Sequence, residues 1–266
     1  MPLDLLSILT LLAVGVAAGA INAVAGGGTF ISFPVLIMLG LPPVVANTTN
    51  KVAITFASLA SVRAFLPEIR TLGARMWGYF AVAVAGSIFG SALLLWMNPD
   101  DFRALVPWLM LAATAVFVLG SGEVKCWIAT ALRPRDDVTA SVAEQSRSLL
   151  SWAASLFGQF AIGIYGGFFA AGMGMLMMAL YSASGMKNIH HMNGLKTLAG
   201  LGMNGVSAAI FLTTGLIDYQ VAAVLLIGAW TGGHYGAHLS KRVSNAAMRR
   251  IIVAYGVMMT VWMFTR

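Results

Sequence analysis

Ten apolar stretches with few ionisable residues among them decide what this chain can fold into. They run near 4–25, 29–40, 45–66, 74–97 and 103–121, and, beyond a polar stretch, near 148–170, 173–185, 192–214, 219–240 and 246–265. A helix that crosses a bilayer needs about 20 apolar residues, and all but the two short stretches have that length. Charged residues make up 9% of the 266, against about 25% in an average soluble domain. Too little polar surface remains to cover a water-soluble fold, so a soluble enzyme and a disordered chain are both excluded. The runs are too continuous for the in–out alternation of a β-barrel. The expected class is an all-α polytopic membrane protein, multi-pass in a cell membrane, with lipid as a partner. The opening segment from Pro2 to Ala25 lacks a basic leader and is too long for a signal-peptide core, so it reads as the first span.

Basic residues orient the spans. If the short stretches 29–40 and 173–185 cross, one face collects Arg63, Arg70, Arg75, Lys125, Arg133, Arg135, Arg147, Lys187, Lys241, Arg242, Arg249 and Arg250. The other face keeps only Arg103 and Arg266, with Lys51 and Lys196 inside the apolar region. If the short stretches turn back instead, this bias disappears. The positive-inside rule therefore favours about ten crossings with both termini outside the cytoplasm. It also accounts for the net charge of +7 without nucleic acid. The lone Cys126 excludes an internal disulfide and a cysteine metal cluster.

The chain reads as a repeat. Shifted by about 145 residues, Ala25, Gly27, Gly40 and Lys51 fall on Ala170, Gly172, Gly185 and Lys196. With one more residue of offset, Gly86, Gly90 and Arg103 fall on Gly232, Gly236 and Arg249. Each half follows the order long, short, long, long, long. Five crossings is an odd number, so the halves insert with opposite orientation. Inverted repeats with paired broken helices mark secondary transporters. The expected organisation is a first repeat at 1–121, a cytoplasmic connecting loop at 122–147 and a second repeat at 148–266.

Two pairs of segments carry the chemistry. Asn22-Ala-Val-Ala-Gly26-Gly27-Gly28-Thr29 places three glycines between apolar stretches, each costing about 1 kcal/mol in a helix relative to alanine. In lipid, freed backbone groups need partners in protein or a water-filled cavity, and the helix start beyond such a break is a ready anion site. A plain surface turn would use the same glycines. The counterpart is Gly166-Gly167-Phe-Phe-Ala-Ala-Gly172-Met173-Gly174. Next, Asn47-Thr48-Thr49-Asn50-Lys51 leads into the third stretch and His190-His191-Met192-Asn193-Gly194-Leu195-Lys196 into the eighth. Asn and Thr there are good helix caps. The lysines ask for more, because ionisable groups inside spans are costly and face a cavity or a partner. All nine acids lie near loops or ends, so a transported anion would supply the missing negative charge; snorkelling to headgroups is the rival. The expected binding residues are Lys51, Lys196, Asn22, Gly26, Gly27, Gly28, Thr29, Asn47, Thr48, Thr49, Asn50, His191 and Asn193. His234 and His238 lie four apart, but no third ligand completes a metal site.

The first-half run AGAINAVAGGGTFISFPVLIMLG with ANTTNKVA, and GIYGGFFAAGMGMLMMAL with WTGGHYGAHL in the second, resemble the TauE/SafE group of membrane permeases over nearly the whole chain. The resemblance implies a transporter of small sulfur-containing or organic anions such as sulfite or sulfonates, built from inverted repeats. Gly26, Gly27, Gly28, Asn47, Thr48 and Thr49 match its glycine motif and polar segment. Met173 and Met175 depart from the glycine-rich second motif.

The expected function is a secondary carrier, exporting a small anion by alternating access at a midplane site between the repeats of a bacterial plasma-membrane protein. An anion channel and a carboxylate transporter are the alternatives. A membrane enzyme is the remote one, since His190, His191 and Asn193 lack an acid. No catalytic residue, metal or cofactor is expected, and no G-x-x-x-x-G-K-[ST] run for ATP occurs. A homodimer is compatible with the size.

Overall fold

The computed structural model describes residues 4–119, 142–186, 188–239 and 245–265. The described residues are helical throughout apart from short connections. In chain order the helices are α1 (Leu5–Ala25), α2 (Thr29–Met38), α3 (Pro43–Val62), a 3₁₀ turn (Arg63–Phe65), α4 (Leu66–Arg70), α5 (Ala74–Trp96), α6 (Pro99–Leu119), α7 (Val142–Phe168), α8 (Met173–Ala183), α9 (Ile189–Leu212), α10 (Tyr219–Leu239) and α11 (Asn245–Phe264). Each expected stretch carries one main helix. Four starts come earlier by two residues or more: α3 begins at Pro43, α6 at Pro99, α9 at Ile189, and α7 at Val142, inside the expected connecting loop. The rest of that loop, 122–141, lies outside the described residues. Leu5–Ala25, Pro43–Arg70, Met76–Trp96 and Ile189–Leu212 are long and apolar enough to cross a membrane.

Local chemistry fixes the helix ends. Asp4 caps α1 by accepting from the Ser7 N–H at 2.9 Å. Asn188 caps α9 by accepting from the N–H of His190. Pro42 and Pro43 start α3, where a missing N–H costs nothing. α1 stops at Gly26, which takes φ +70°, and the loop before α8 takes φ +72° at Ala170 and +73° at Gly172. The left-handed conformation ends a helix because its carbonyl direction cannot continue the ladder.

The short helices explain the unequal stretch lengths. α2 has 10 residues and α8 has 11, so each rises only about 15–17 Å, half of a bilayer core of about 30 Å. A Cβ at Gly28 would sit 2.4 Å from the Ala18 carbonyl oxygen. The chain therefore doubles back along α1 immediately after its break. At the far ends of the short helices, Gly40 and Gly185 take φ +92° and +85° and turn the chain into the next long helix.

Helix direction follows from which residues meet. Gly15 packs on Leu225 and Gly228, and Gly19 on Ala229 and Gly233, so α1 and α10 are parallel. Thr49 accepts from the Asp218 N–H, and Ser61 faces Gly233, so α3 is parallel to α10 as well. Gly86 meets Phe160 and Gly163, and Gly90 meets Ile164, which sets α5 parallel to α7. Gly202 packs on Phe80, and Ser207 bonds to Ser87 and Ser91, so α9 is parallel to α5. Gly205 faces Thr55 while Gly194 faces Glu68 and Ile69, which makes α9 antiparallel to the run from α3 to α4. Two sets thus emerge, α1–α3–α10 and α5–α7–α9, running in opposite directions. Both of the tightest helix pairs rely on glycine, since a Cβ at Gly232 would lie 2.0 Å from the Val16 oxygen and one at Gly90 1.9 Å from the Ile164 oxygen. Small residues let backbones approach where lipid gives no hydrophobic drive.

Candidate anion site

Each buried lysine ends at the terminus of a broken helix from the other half of the chain. Lys51, on α3, is fully buried and its ammonium donates to the Gly166 carbonyl in the last turn of α7. Lys196, on α9, is 2% exposed and donates to the carbonyls of Ala23 at 3.3 Å and Val24 at 2.9 Å in the last turn of α1. The final carbonyls of a helix have no partner in the ladder and form the negative end of its dipole. An ammonium placed there satisfies both needs. The partner sought in the sequence is therefore partly internal. It is only partial charge, however, and among the described residues neither lysine meets a carboxylate. Each ammonium has three donors, so both keep capacity in a place where an unpaired charge is expensive.

The lysines stand at different depths. With Gly205 facing Thr55 and the helices antiparallel, Lys196 lies opposite Ala64, about thirteen residues or about 20 Å along the axis from Lys51.

A small cavity of about 10 Å³ opens beside Lys196, lined by Asn22, Gly26, Ser58, Ser61, Thr197 and Met173, among others. That is room for about one water. Asn22 donates its amide to Ser58 Oγ at 3.0 Å, leaving a second amide hydrogen. Thr197 Oγ1 is buried and unbonded. With the ammonium, these groups make a chamber rich in donors and lacking a carboxylate. Met173 and Met177 form its flexible wall. The two chain breaks close on each other here: the Gly174 N–H donates to the Gly26 carbonyl at 3.1 Å.

The other expected residues divide into three groups. Asn47 and Asn50 join Lys51: Asn47 donates to the Phe168 carbonyl at 2.7 Å, and Asn50 accepts from Ser32 at 2.5 Å. Thr48 bonds the Leu216 carbonyl and Thr49 the Asp218 N–H, which fastens α3 to the turn before α10. Because α3 begins at Pro43, residues 47–50 are inside the helix, where their backbone N–H groups serve the ladder. The expectation that Asn and Thr cap a helix start at 47–50 is corrected accordingly. Gly27, Gly28 and Thr29 are buried at the break, where Phe30 and Ile31 turn their N–H groups back to Gly27 and Gly28. His191 and Asn193 stand apart from the cavity lining; His191 Nε2 lies 3.2 Å from Thr71 Oγ1 at the start of α9. Of the histidine pair, the His238 side chain lies outside the described residues.

Ser32, Ser58, Ser61 and Thr197 escaped the sequence reading. Their signal was periodicity: Asn47, Lys51, Ile54, Ser58 and Ser61 share one face of α3, a polar stripe inside an apolar helix.

The family described as "Sulfite exporter TauE/SafE" matches residues 11–263. A Haemophilus influenzae protein named "Probable membrane transporter protein" is 29% identical over 264 residues, covering 97% of this chain and 94% of its own. The "Probable membrane transporter protein YjnA" of Bacillus subtilis is 25% identical, covering 92% and 95%. The "Probable membrane transporter protein YfcA" of Escherichia coli is 22% identical, covering 93% and 86%. No solved structure matches the chain.

Proposed function

The chain belongs to the sulfite exporter TauE/SafE family and is a multi-pass membrane transporter, and from that premise we propose that it is a secondary carrier that exports a small anion of the sulfite or organosulfonate class. The carrying observation is Lys196. It is a buried ammonium that meets no carboxylate among the described residues, in a chamber where the second Asn22 amide hydrogen and the Thr197 hydroxyl offer donors. Such a chamber favours an anion and penalises a cation or a neutral apolar solute.

An inverted repeat accounts for the helix directions. Pairing α1 with α7, α3 with α9 and α5 with α10 maps one parallel set onto the other with its direction reversed. It also maps the Gly232–Val16 approach onto the Gly86–Phe160 approach, and the Lys196 cap on α1 onto the Lys51 cap on α7. Each set exchanges one helix with the other half, so the halves interlock. Residues 63–72 then face the cytoplasm and residues 213–218 the outside, with both termini outside.

The cavity, at about 10 Å³, is too small for sulfite, so this is a closed conformation that must open to load. That favours a carrier over an open channel. Opening would separate the Gly26–Gly174 contact and move one parallel set against the other, as inverted repeats permit. An inside-negative potential supplies about 2.3 kcal/mol per charge per 100 mV, enough to drive an anion outward without a coupling ion.

The test is counterflow in proteoliposomes loaded with sulfite, taurine, sulfoacetate, acetate or a neutral analogue. Uptake of labelled anion driven by one anionic class, and abolished by Lys196→Met, is the expected result. Uptake that Lys196→Met leaves unchanged overturns the site. Conductance far above carrier turnover overturns the carrier.

A further inference from the structure

Five of the nine buried polar side-chain atoms without partners among the described residues belong to α3 and α9 and follow one another along those two helices. Thr197 Oγ1 is at the Lys196 chamber; next come both amide atoms of Asn204, then Asn50 Nδ2, then Asn47 Oδ1. Thr197 and Asn204 lie two turns apart on one face of α9. Asn47, Asn50 and Lys51 share a face of α3, at i, i+3 and i+4. The Gly205–Thr55 contact sets the two helices in register, which places Asn204 opposite Phe56, at a depth between the two lysines. Asn47, Asn50, Lys51 and Asn204 are all 0% exposed. Burying a polar group without a partner costs free energy, and native interiors hold few such groups. A series of them that runs from the Lys196 chamber past Lys51 calls for an occupant that none of the neighbouring side chains supplies.

We propose that Lys51 and Asn50 form a second anion station, about 10–15 Å along α3 from Ser58 and Ser61 of the Lys196 chamber, and that the anion passes between the two along Asn204 on the seam of α3 and α9. This rests on the anion reading above and extends it from one site to two. At the second station Asn50 gives its oxygen to the Ser32 hydroxyl, which turns its unbonded N–H₂ outward as a donor. Lys51 spends one of three donors on Gly166. Two donor side chains one position apart, one of them cationic, can hold two oxygens of a small oxyanion. Asn47 Oδ1 is the lone acceptor among the unpartnered atoms on that face, and it suits the acidic proton of a hydrogen-anion or a bridging water. The Met173 and Met203 sulfurs lie against Gly166 and give the station a yielding wall.

The experiment is equilibrium dialysis of detergent-purified chain against labelled sulfite under reducing conditions, with counterflow on the same variants. Wild type is expected to bind two ions per chain. Lys196→Met and Asn50→Leu are each expected to bind one, and the double variant none. Asn50→Leu leaves the Lys51–Gly166 bond in place, so its loss of one ion is read without unfolding; Ser32→Ala serves as a second, milder perturbation. Asn204→Leu is expected to bind both ions and to lower counterflow at least tenfold. One ion in wild type, lost in Lys196→Met and retained in Asn50→Leu, would overturn the second station while leaving the anion reading intact. No bound sulfite in any variant would overturn both. Unchanged counterflow in Asn204→Leu would overturn the passage.

Discussion

Substitution of alanine at Gly26 tests whether the meeting of the two chain breaks holds the closed fold together. Two costs add at this position. Its φ of +70° puts an L side chain in the left-handed region, about 1–2 kcal/mol. A Cβ there would also lie 2.5 Å from the Gly174 Cα. That obstacle is backbone and cannot rotate away, so the overpacking term adds about 1–3 kcal/mol. Two controls separate the terms. Gly40→Ala carries the strain alone, with φ +92° and nothing within 4 Å of its Cβ. Gly174→Ala carries the clash alone, at 2.5 Å from Gly26 Cα and 2.6 Å from the Ala25 oxygen. Expected losses are about 1–2 kcal/mol for Gly40→Ala, about 1–3 for Gly174→Ala and about 2–5 for Gly26→Ala. At about 2–4 °C per kcal/mol for a chain of this size, melting in detergent should fall by roughly 2–8, 2–12 and 4–20 °C. Tryptophan-fluorescence melting measures all three. A Gly26→Ala loss no larger than that of Gly40→Ala would refute the reasoning, because it would mean that the breaks do not touch in the ground state.

Three further outcomes follow from the same geometry. Sulfite at a hundredfold excess over its Kd should stabilise wild type by about 2.7 kcal/mol for each occupied site; Lys196→Met should lose the share of one site, and a full shift in the variant would remove Lys196 from the site. Gly90→Ala and Gly232→Ala should each destabilise by several kcal/mol in a melting assay, since their Cβ atoms would lie 1.9 and 2.0 Å from carbonyl oxygens of α7 and α1; a neutral result at either would contradict the close helix approach. In intact cells, after Cys126→Ala, an impermeant maleimide should label Thr213→Cys but reach Ala74→Cys only after permeabilisation, both positions being exposed; the reverse pattern would invert the topology.

The helices were legible because lipid demands length, and length is written in the apolar runs. The breaks were legible because a left-handed φ favours glycine, and Gly26, Gly40, Gly172 and Gly185 stand where the chain turns. Ala170 carries the same sign of φ and gave no warning, since nothing in an alanine marks a turn. The start of α3 at Pro43 was hidden by Asn47 and Thr48, whose side chains look like caps but bond to other segments, at the Phe168 and Leu216 carbonyls. A cap and a tertiary contact use the same side-chain atoms, and sequence alone does not separate them. The depth difference between the lysines was equally hidden. It depends on α9 running against α3, and a repeat alignment matches positions without giving height in the membrane.

That depth difference changes what the lysines imply. Two ammonium groups in one small chamber would repel each other, and a single monovalent anion could not neutralise both. Held at the ends of two different helices, each instead sits against about half an elementary charge at the end of a helix dipole, which offsets part of its burial cost before any ligand arrives. The reciprocal arrangement, Lys51 on α7 and Lys196 on α1, ties each half to the broken helix of the other. An anion drawing a lysine toward itself would weaken the hold on that helix end, and at the adjoining break the helix ladder is already interrupted. Anion binding and movement of the break are thereby linked through one ammonium group, without a carboxylate between them.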